Sequence, residues 1–382
     1  MTRRVLFYVQ HLLGIGHLKR AEILAEAMAG HGLDVTVAYG GRAFPEVTFR
    51  GVKVAPLPSA AIANEDFSTL IDEAGRPVDD AWRAARRNAL LDLRRDIDPD
   101  VVMIELFPFG RRQFAFELIP LLEEVHAAKD RAAVACSVRD VLVASKKPGR
   151  DTVIVGTIRR FFDAVLVHGD PALVPFGATF VAADQISDLV RYTGYVAAAG
   201  SDAEPSEGKG EVLVSAGGGA VGAPILFAAA AARPMTPLAG NVWRYLTGPN
   251  LPDADFARLA ATADGRTIVE RFRPDFPARL KNAALSISQA GYNTTMDILA
   301  AGARAVVVPY EAKGETEQRL RAEILASKQL LTVVPEAELA PQRLAMAVAE
   351  ALARPAASAG VDLSGAETTA RLVHALATRR MR

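Results

Sequence analysis

Strand-length apolar runs recur along the chain, each followed by a glycine-containing or polar turn and then by a helical pattern. In the first half they cover residues 5–9, 33–38, 52–55, 101–104, 133–137 and 162–167. In the second half they cover 212–215, 241–247, 267–270, 283–287, 305–308 and 331–334. Runs that are apolar on both faces predict parallel strands with helices packed on either side. The intervening periodicity and end signals predict helices over 17–29, 78–95, 274–281, 293–301, 341–353 and 366–378. In the fourth of these Asn293 is the expected N-cap and Gly302 the expected terminator. The fold class is therefore expected to be α/β, with two Rossmann-like halves.

At 382 residues the chain is too long for one ordinary domain. Residues 196–210 are small, acidic and interrupted by Gly and Pro, which predicts a linker. It would join an N-terminal domain over 1–195 to a C-terminal domain over 211–363, with a closing helix in 364–382. The formal net charge is zero, so a nucleic-acid partner finds no electrostatic footprint. Cys136 is the only cysteine and lies in an apolar run, so a buried thiol is expected and no disulfide forms within the chain. There is neither a metal-type Cys/His cluster nor an export signal, so the expectation is a cytoplasmic protein with no bound metal and no cofactor. No apolar stretch reaches the roughly 18 residues of a membrane span. Peripheral attachment at the inner face of the membrane stays open, as does the oligomeric state.

The candidate chemistry lies in the polar residues at the strand ends, which a parallel sheet gathers along one edge. In the first half, Gly14 and Gly16 bring the backbone close to the start of a helix that carries His17 and, one turn on, Arg20. Glu105, Arg139, Asp140, His168 and Asp170 lie at other strand ends of that half. A Gly-x-Gly turn alone fits any Rossmann-like domain. The strand over 33–38 ends at Tyr39-Gly-Gly-Arg42, without the acidic residue that holds the ribose in an NAD site. The charged side of the 78–95 helix is expected to be a solvated face. In the second half, Ser215 leads into a loop with Gly217, Gly218 and Gly219. Gln289, Ala290 and Gly291 form a turn before the helix of Asn293, Thr294 and Asp297. Such turns offer backbone N–H groups and the positive end of a helix to a phosphate. A carboxylate at Asp297 can accept both hydroxyls of a ribose, and Glu317 and Gln318 can bond sugar hydroxyls. Taken singly, each is an ordinary helix or turn residue. At consecutive strand ends they suggest a nucleotide-sugar site.

The string Gly14-Ile-Gly-His-Leu-Lys-Arg20 resembles the Gly-x-Gly-His-x-x-Arg signature of GT-B glycosyltransferases and related nucleotide-sugar hydrolases. Residues 286–323 resemble the donor-binding half of family 28 of these enzymes through Ala290, Gly291, Thr294, Asp297, Pro309 and Gln318. Asp297 stands where the family has Glu, Ala290 replaces a Ser, and Glu317-Gln318 replaces Gln-Gln. The resemblance implies a GT-B fold, two Rossmann-like domains facing each other across a cleft. It implies an inverting, metal-independent glycosyltransferase acting on a UDP-linked sugar and a hydroxyl acceptor, lipid-linked or soluble. Residues 217–219 and Gly291 would then meet the diphosphate, Asp297 the ribose, Glu317 and Gln318 the sugar, and the loop of Phe272 and Arg273 the base. His17 is the candidate general base, or else it only positions the acceptor or a phosphate. Arg111 and Arg112, among the aromatics of 106–116, either meet an anionic or lipid-linked acceptor or open a helix with core aromatics. The second role is the expected one. A nucleotide-sugar hydrolase and a non-catalytic nucleotide-binding module remain as alternatives. The 14–20 signature argues against a nucleotide-sugar 2-epimerase.

Overall fold

A computed structural model describes residues 2–12, 16–42, 47–63, 69–142, 149–197, 208–218, 221–273, 275–311, 316–354 and 360–378. The chain divides into two compact units, Met1–Val196 with Ser364–Arg382, and Ala197–Leu363. In the first unit β1 (Arg4–Val9), α1 (Gly16–Gly30), β2 (Asp34–Tyr39) and β3 (Lys53–Pro56) precede a short antiparallel pair, β4 (Ala61–Ile62) and β5 (Leu70–Ile71). Then follow α2 (Asp80–Ile97), β6 (Val101–Glu105), α3 (Ala115–Ala127), β7 (Ala133–Arg139), α4 (Arg150–Phe161), β8 (Ala164–His168) and β9 (Val190–Tyr192). Among the described residues a seven-stranded parallel sheet runs in the order β3-β2-β1-β6-β7-β8-β9.

The second unit contains β10 (Val212–Ser215), α5 (Ala223–Ala232), β11 (Trp243–Leu246), α6 (Asp253–Ala260), β12 (Thr267–Glu270), α7 (Phe276–Asn282) and β13 (Leu285–Gln289). It continues through α8 (Tyr292–Ala301), β14 (Ala305–Val308), α9 (Glu317–Ser327), β15 (Thr332–Val333) and α10 (Pro341–Ala353). Its sheet is also parallel, in the order β12-β11-β10-β13-β14-β15 among the described residues. The last helix, α11 (Gly365–Thr378), belongs to the first unit.

Strands β1, β2, β6, β7 and β8 of the first sheet divide their apolar side chains between two cores, as alternation demands. Leu6, Tyr8, Val102, Ile104, Val134 and Cys136 pack with Leu90 of α2, Leu118 of α3 and Ile158 of α4. Val5, Phe7, Val9 and Met103 pack with Leu24 and Met28 of α1 and with Ala370, Val373 and Ala377 of α11. Phe107, Phe109 and Phe114 are buried in the first of these cores.

Three expectations are corrected. The strand read over 283–287 lies at Leu285–Gln289, because Ala283 caps α7 and the N–H of Ala284 bonds Glu211. Asn293 does not cap α8: Gly291 is the N-cap residue and Tyr292 the first helical one. Tyr292 is buried with the Arg321 guanidinium over its ring, which pins the helix entry. The α2 face is not simply solvated. Arg86 is buried, pairs with Glu117 at 2.8 Å and Gln10 at 2.6 Å, and packs over Phe114. Gly302 closes α8 in the left-handed conformation, with φ 63.

Candidate functional site

In the first sheet β1, β6 and β7 are neighbours, so their carboxyl ends and the start of α1 bring polar side chains together. Glu105, the last residue of β6, is buried. Its Oε1 accepts from His17 Nδ1 at 2.6 Å and from Arg20 Nη2 at 2.8 Å. Arg111 Nη2 stands 3.7 Å from Glu105 Oε2. Burial favours the neutral acid, but His17, Arg111 and Arg20 override it and hold this carboxyl well below the usual carboxylate range. A carboxylate at that distance requires a proton on Nδ1, which leaves Nε2 of His17 as the acceptor nitrogen. Burial pushes the His17 imidazole down to about 4, against the upward pull of Glu105, with Arg139 and Arg111 adding to the depression. His17 is therefore neutral at pH 7, and 17% of its side chain remains exposed.

His11, just past β1, joins this group. Tyr39 gives its hydroxyl proton to the Arg42 carbonyl and accepts from His11 Nδ1 at 2.9 Å, with the two rings parallel. Burial, then Arg111, pushes His11 down to about 4. The Gln10 amide holds the His11 carbonyl at 2.8 Å and is itself gripped by Arg86. Sequence reasoning assigned no role to His11 and expected Arg111 at a helix start beside core aromatics. Their type and position at a strand end were the available signals, but only the paired strands bring them to Glu105.

Other predicted residues of this sheet edge make different bonds. His168 is fully buried, with Nε2 2.7 Å from Ser137 and Nδ1 2.9 Å from Thr193. Burial pushes it down to about 3. Asp140 is buried, accepting from the Tyr195 hydroxyl at 2.9 Å and the Val141 N–H at 2.8 Å. Asp170 bonds the Ala172 N–H at 2.8 Å. Gly16 is exposed at the start of α1, and Arg139 is half-buried at the end of β7. Gly14 and Gly219 lie outside the described residues.

In the second unit Ser215 ends β10, and its hydroxyl accepts from the Gly217 N–H at 3.3 Å. Gly217 is left-handed, with φ 60, and both Gly217 and Gly218 are exposed. Gly222 has no room for a side chain, because a Cβ there would lie 2.3 Å from Ala216 Cβ. The Gln289 amide oxygen lies next to Gly217, so the ends of β10 and β13 adjoin. Ala290 is buried and Gly291 is extended, with open space where a Cβ would point. The first turn of α8 has N–H groups without acceptors inside the helix, and the missing side chain keeps approach to them clear. Thr294 and Asp297 are half-buried on that helix.

Beyond β12, Phe272 is 49% exposed, and Arg273 forks onto Asp275 at 2.6 and 2.8 Å. Glu317 is buried and paired with Arg321 at 3.0 Å, and the Gln318 amide oxygen accepts from the Tyr310 N–H at 3.1 Å. Glu317 thus anchors α9 from within, and Gln318 fixes the chain after β14. Among the described residues no group of three His, Cys, Asp or Glu could hold a metal ion. No helix among them is long and apolar enough to cross a membrane.

Residues 215–371 match the glycosyltransferase family 28 C-terminal domain. A curated relative from Agrobacterium fabrum is UDP-N-acetylglucosamine--N-acetylmuramyl-(pentapeptide) pyrophosphoryl-undecaprenol N-acetylglucosamine transferase. It is 31% identical over 132 residues, 32% of this chain and 34% of that protein. The enzyme of the same name from Rhizobium meliloti is 33% identical over 109 residues, 28% of this chain and 29% of that protein. The chain thus spans about a third of the length of the curated relatives it matches. Among solved structures, Acinetobacter baumannii MurG aligns with a TM-score of 0.61 at 14% identity, over 98% of this chain and 99% of that one. The kitacinnamycin glycosyltransferase aligns with a TM-score of 0.66 at 17% identity, over the full length of both chains. The calicheamicin glycosyltransferase CalG4 aligns with a TM-score of 0.62 at 16% identity, over 99% of this chain and 96% of that one. With two parallel α/β units of this order, the chain has the GT-B fold and is related, through its second unit, to the family 28 glycosyltransferases.

Proposed function

We propose that this protein is an inverting glycosyltransferase that moves a sugar from a UDP-sugar to a hydroxyl acceptor without a metal ion. The donor belongs to the second unit. The Gly217–Gly218 turn and the start of α8 take the diphosphate, Asp297 the ribose, the Phe272 loop the base, and Gln318 with the chain after β14 the sugar. The acceptor belongs to the first unit, beside His17. Nε2 of His17 takes the hydroxyl proton while the acceptor oxygen bonds to the anomeric carbon. The bond from that carbon to the diphosphate breaks, and UDP leaves with the electron pair. Attack from the face opposite UDP inverts the anomeric centre. N–H groups at the start of α8 stabilise the charge that grows on the leaving group. Glu105 keeps the imidazole in one tautomer and stabilises the imidazolium that forms.

The observation that carries this reading is the His17–Glu105 hydrogen bond of 2.6 Å on a neutral, partly exposed imidazole. The test is UDP release from a panel of UDP-sugars with and without hydroxyl acceptors. Release that depends on the acceptor supports transfer. Equal release without one assigns a hydrolase, and UDP binding with no release from any sugar assigns a binding module. The curated relatives are named for an undecaprenol-linked acceptor. A lipid-linked acceptor here would bring the first unit to a cytoplasmic membrane face, which sedimentation with anionic lipid vesicles tests.

A further inference from the structure

Two guanidinium groups, Arg20 and Arg111, flank Glu105, and Arg111 and Arg139 act on His17 and on each other. Glu105 is committed through Oε1 to His17 and Arg20. The acid next to Arg139 in sequence, Asp140, accepts from the Tyr195 hydroxyl and the Val141 N–H. Arg111 is placed differently. Only 9% of its side chain is exposed, its Nη2 is beyond hydrogen-bond reach of Glu105 at 3.7 Å, and its buried Nε has no hydrogen-bond partner. A buried guanidinium left in this state is unfavourable. The loop that holds it is strained as well: Leu106 at φ 66 and Arg111 at φ 58 are both left-handed without being glycine. Between them Gly110 sits so close to Leu106 that a Cβ would lie 2.7 Å from its side chain. Strain of this kind persists where the surroundings over-determine it, and it clusters at ligand clamps.

We propose that Arg111 and Arg139 seat an oxyanion carried by the acceptor, a phosphate or a carboxylate, and that this anion turns His17 into an effective base. The proposal rests on the glycosyltransferase reading above and adds a gate to it. His17 faces Glu105 from β6, Arg111 from the following loop, Arg139 from β7 and Arg20 from its own helix, with neutral His11 beyond β1. With the anion site empty, burial and two guanidinium groups keep the imidazole a weak base. A weak base is a poor acceptor for a hydroxyl proton. An oxyanion between Arg111 and Arg139 cancels their field and leaves the pull of Glu105. Water brings no such anion, so donor hydrolysis meets a weak base and transfer meets a competent one.

The experiment follows the His17 ring by NMR in the full-length protein, its signal identified by its loss in His17→Gln. The imidazole is titrated in sulfate, which keeps its charge across the range, and in chloride at equal ionic strength. Saturating UDP occupies the donor site, and UDP affinity is measured on the same samples. Sulfate is expected to raise the proton affinity of His17 about tenfold, saturably. In Arg111→Gln the ring is already more basic in chloride and no longer responds to sulfate. Arg111→Lys, with the charge but not the fork, responds only at higher sulfate. Identical titrations of the wild-type ring in sulfate and chloride overturn the proposal, whatever the variants do. Absent UDP binding would instead count against the glycosyltransferase reading. In turnover assays sulfate should compete with the true acceptor, and activation by sulfate overturns the claim that the acceptor brings the anion.

Discussion

His17 and Glu105 divide the proposed proton transfer between them, and substitution separates their roles. His17→Gln keeps a hydrogen-bonding group but no basicity, so turnover should fall by about 10²–10⁴ while UDP affinity holds. Single-turnover kinetics and calorimetry check the two halves of that statement. Full turnover in His17→Gln, with chemistry limiting the rate, would move the base elsewhere on this sheet edge. Asp297→Ala should weaken UDP binding by about 1.5–3 kcal/mol with the fold intact, since a charged acceptor of hydrogen bonds is lost. Unchanged affinity would remove Asp297 from the site. The buried histidines also make stability depend on pH. His11 and His17 sit at about 4 and His168 at about 3, all below the ordinary value of 6.5. Below pH 6.5 the unfolded chain therefore takes up protons that the folded chain refuses. The stability that neutral burial contributes is complete above pH 6.5 and declines as the pH falls toward 4. The slope is about 1.4 kcal/mol per pH unit for each histidine that titrates only in the unfolded chain. Denaturant titrations at a series of pH values read this, and His168→Asn should flatten the slope by one proton.

At the scale of elements, some connections after strands leave no room for a side chain. Gly222 is the clearest case. Ala at this position drives a Cβ into Ala216 and should cost about 1–3 kcal/mol, although the turn around Gly217 and Gly218 is unchanged in sequence. Gly291→Ala should be nearly neutral for stability, because its backbone is extended and the space beyond it is open. It should weaken UDP binding if that space receives the diphosphate. Comparing melting temperature and UDP affinity of the two variants distinguishes a packing glycine from a ligand-facing one. The α2 helix has the opposite character. Its cap, in which the Trp82 N–H donates to Asp79 Oδ1 at 2.7 Å, is local. Its Arg86–Glu117 pair is long-range. Arg86→Ala should cost about 3–5 kcal/mol by leaving a buried carboxylate uncompensated.

At the scale of the molecule, the chain leaves the first unit after Val196 and returns at Ser364. These residues form an antiparallel bridge, and the Gly365 N–H bonds the Tyr195 carbonyl at 3.1 Å. No side chain fits at Gly365, where a Cβ would lie 2.6 Å from the Gly194 and Tyr195 backbone. Because α11 completes the core beneath α1, truncation after residue 363 should destabilise the first unit and leave the second unit's melting transition in place. Differential scanning calorimetry resolves the two transitions, and loss of both together would show that the units unfold as one.

The sequence by itself determined the α/β class, the positions of most strands and the glycine turns after β10 and β13. Those signals are local: an apolar run of strand length, a turn residue, a helical period. The closing of α8 by Gly302 belongs to the same class. The start of α8 does not, because Tyr292 enters the helix through its contact with Arg321, 29 residues away in sequence but adjacent in the fold. Only the tertiary structure decided which charged residues act together. His17, Glu105, Arg111 and Arg139 lie on separate stretches, and strand order places them at one edge. Strand order also decided burial. It turned His168 and Asp140 inward to Ser137, Thr193 and Tyr195, and it drew Arg86 from a charged helix face into a network with Glu117 and Gln10. A residue's type records which bonds it can make. Whether those bonds are made to water, to the core or to a substrate depends on neighbours that only the paired strands supply.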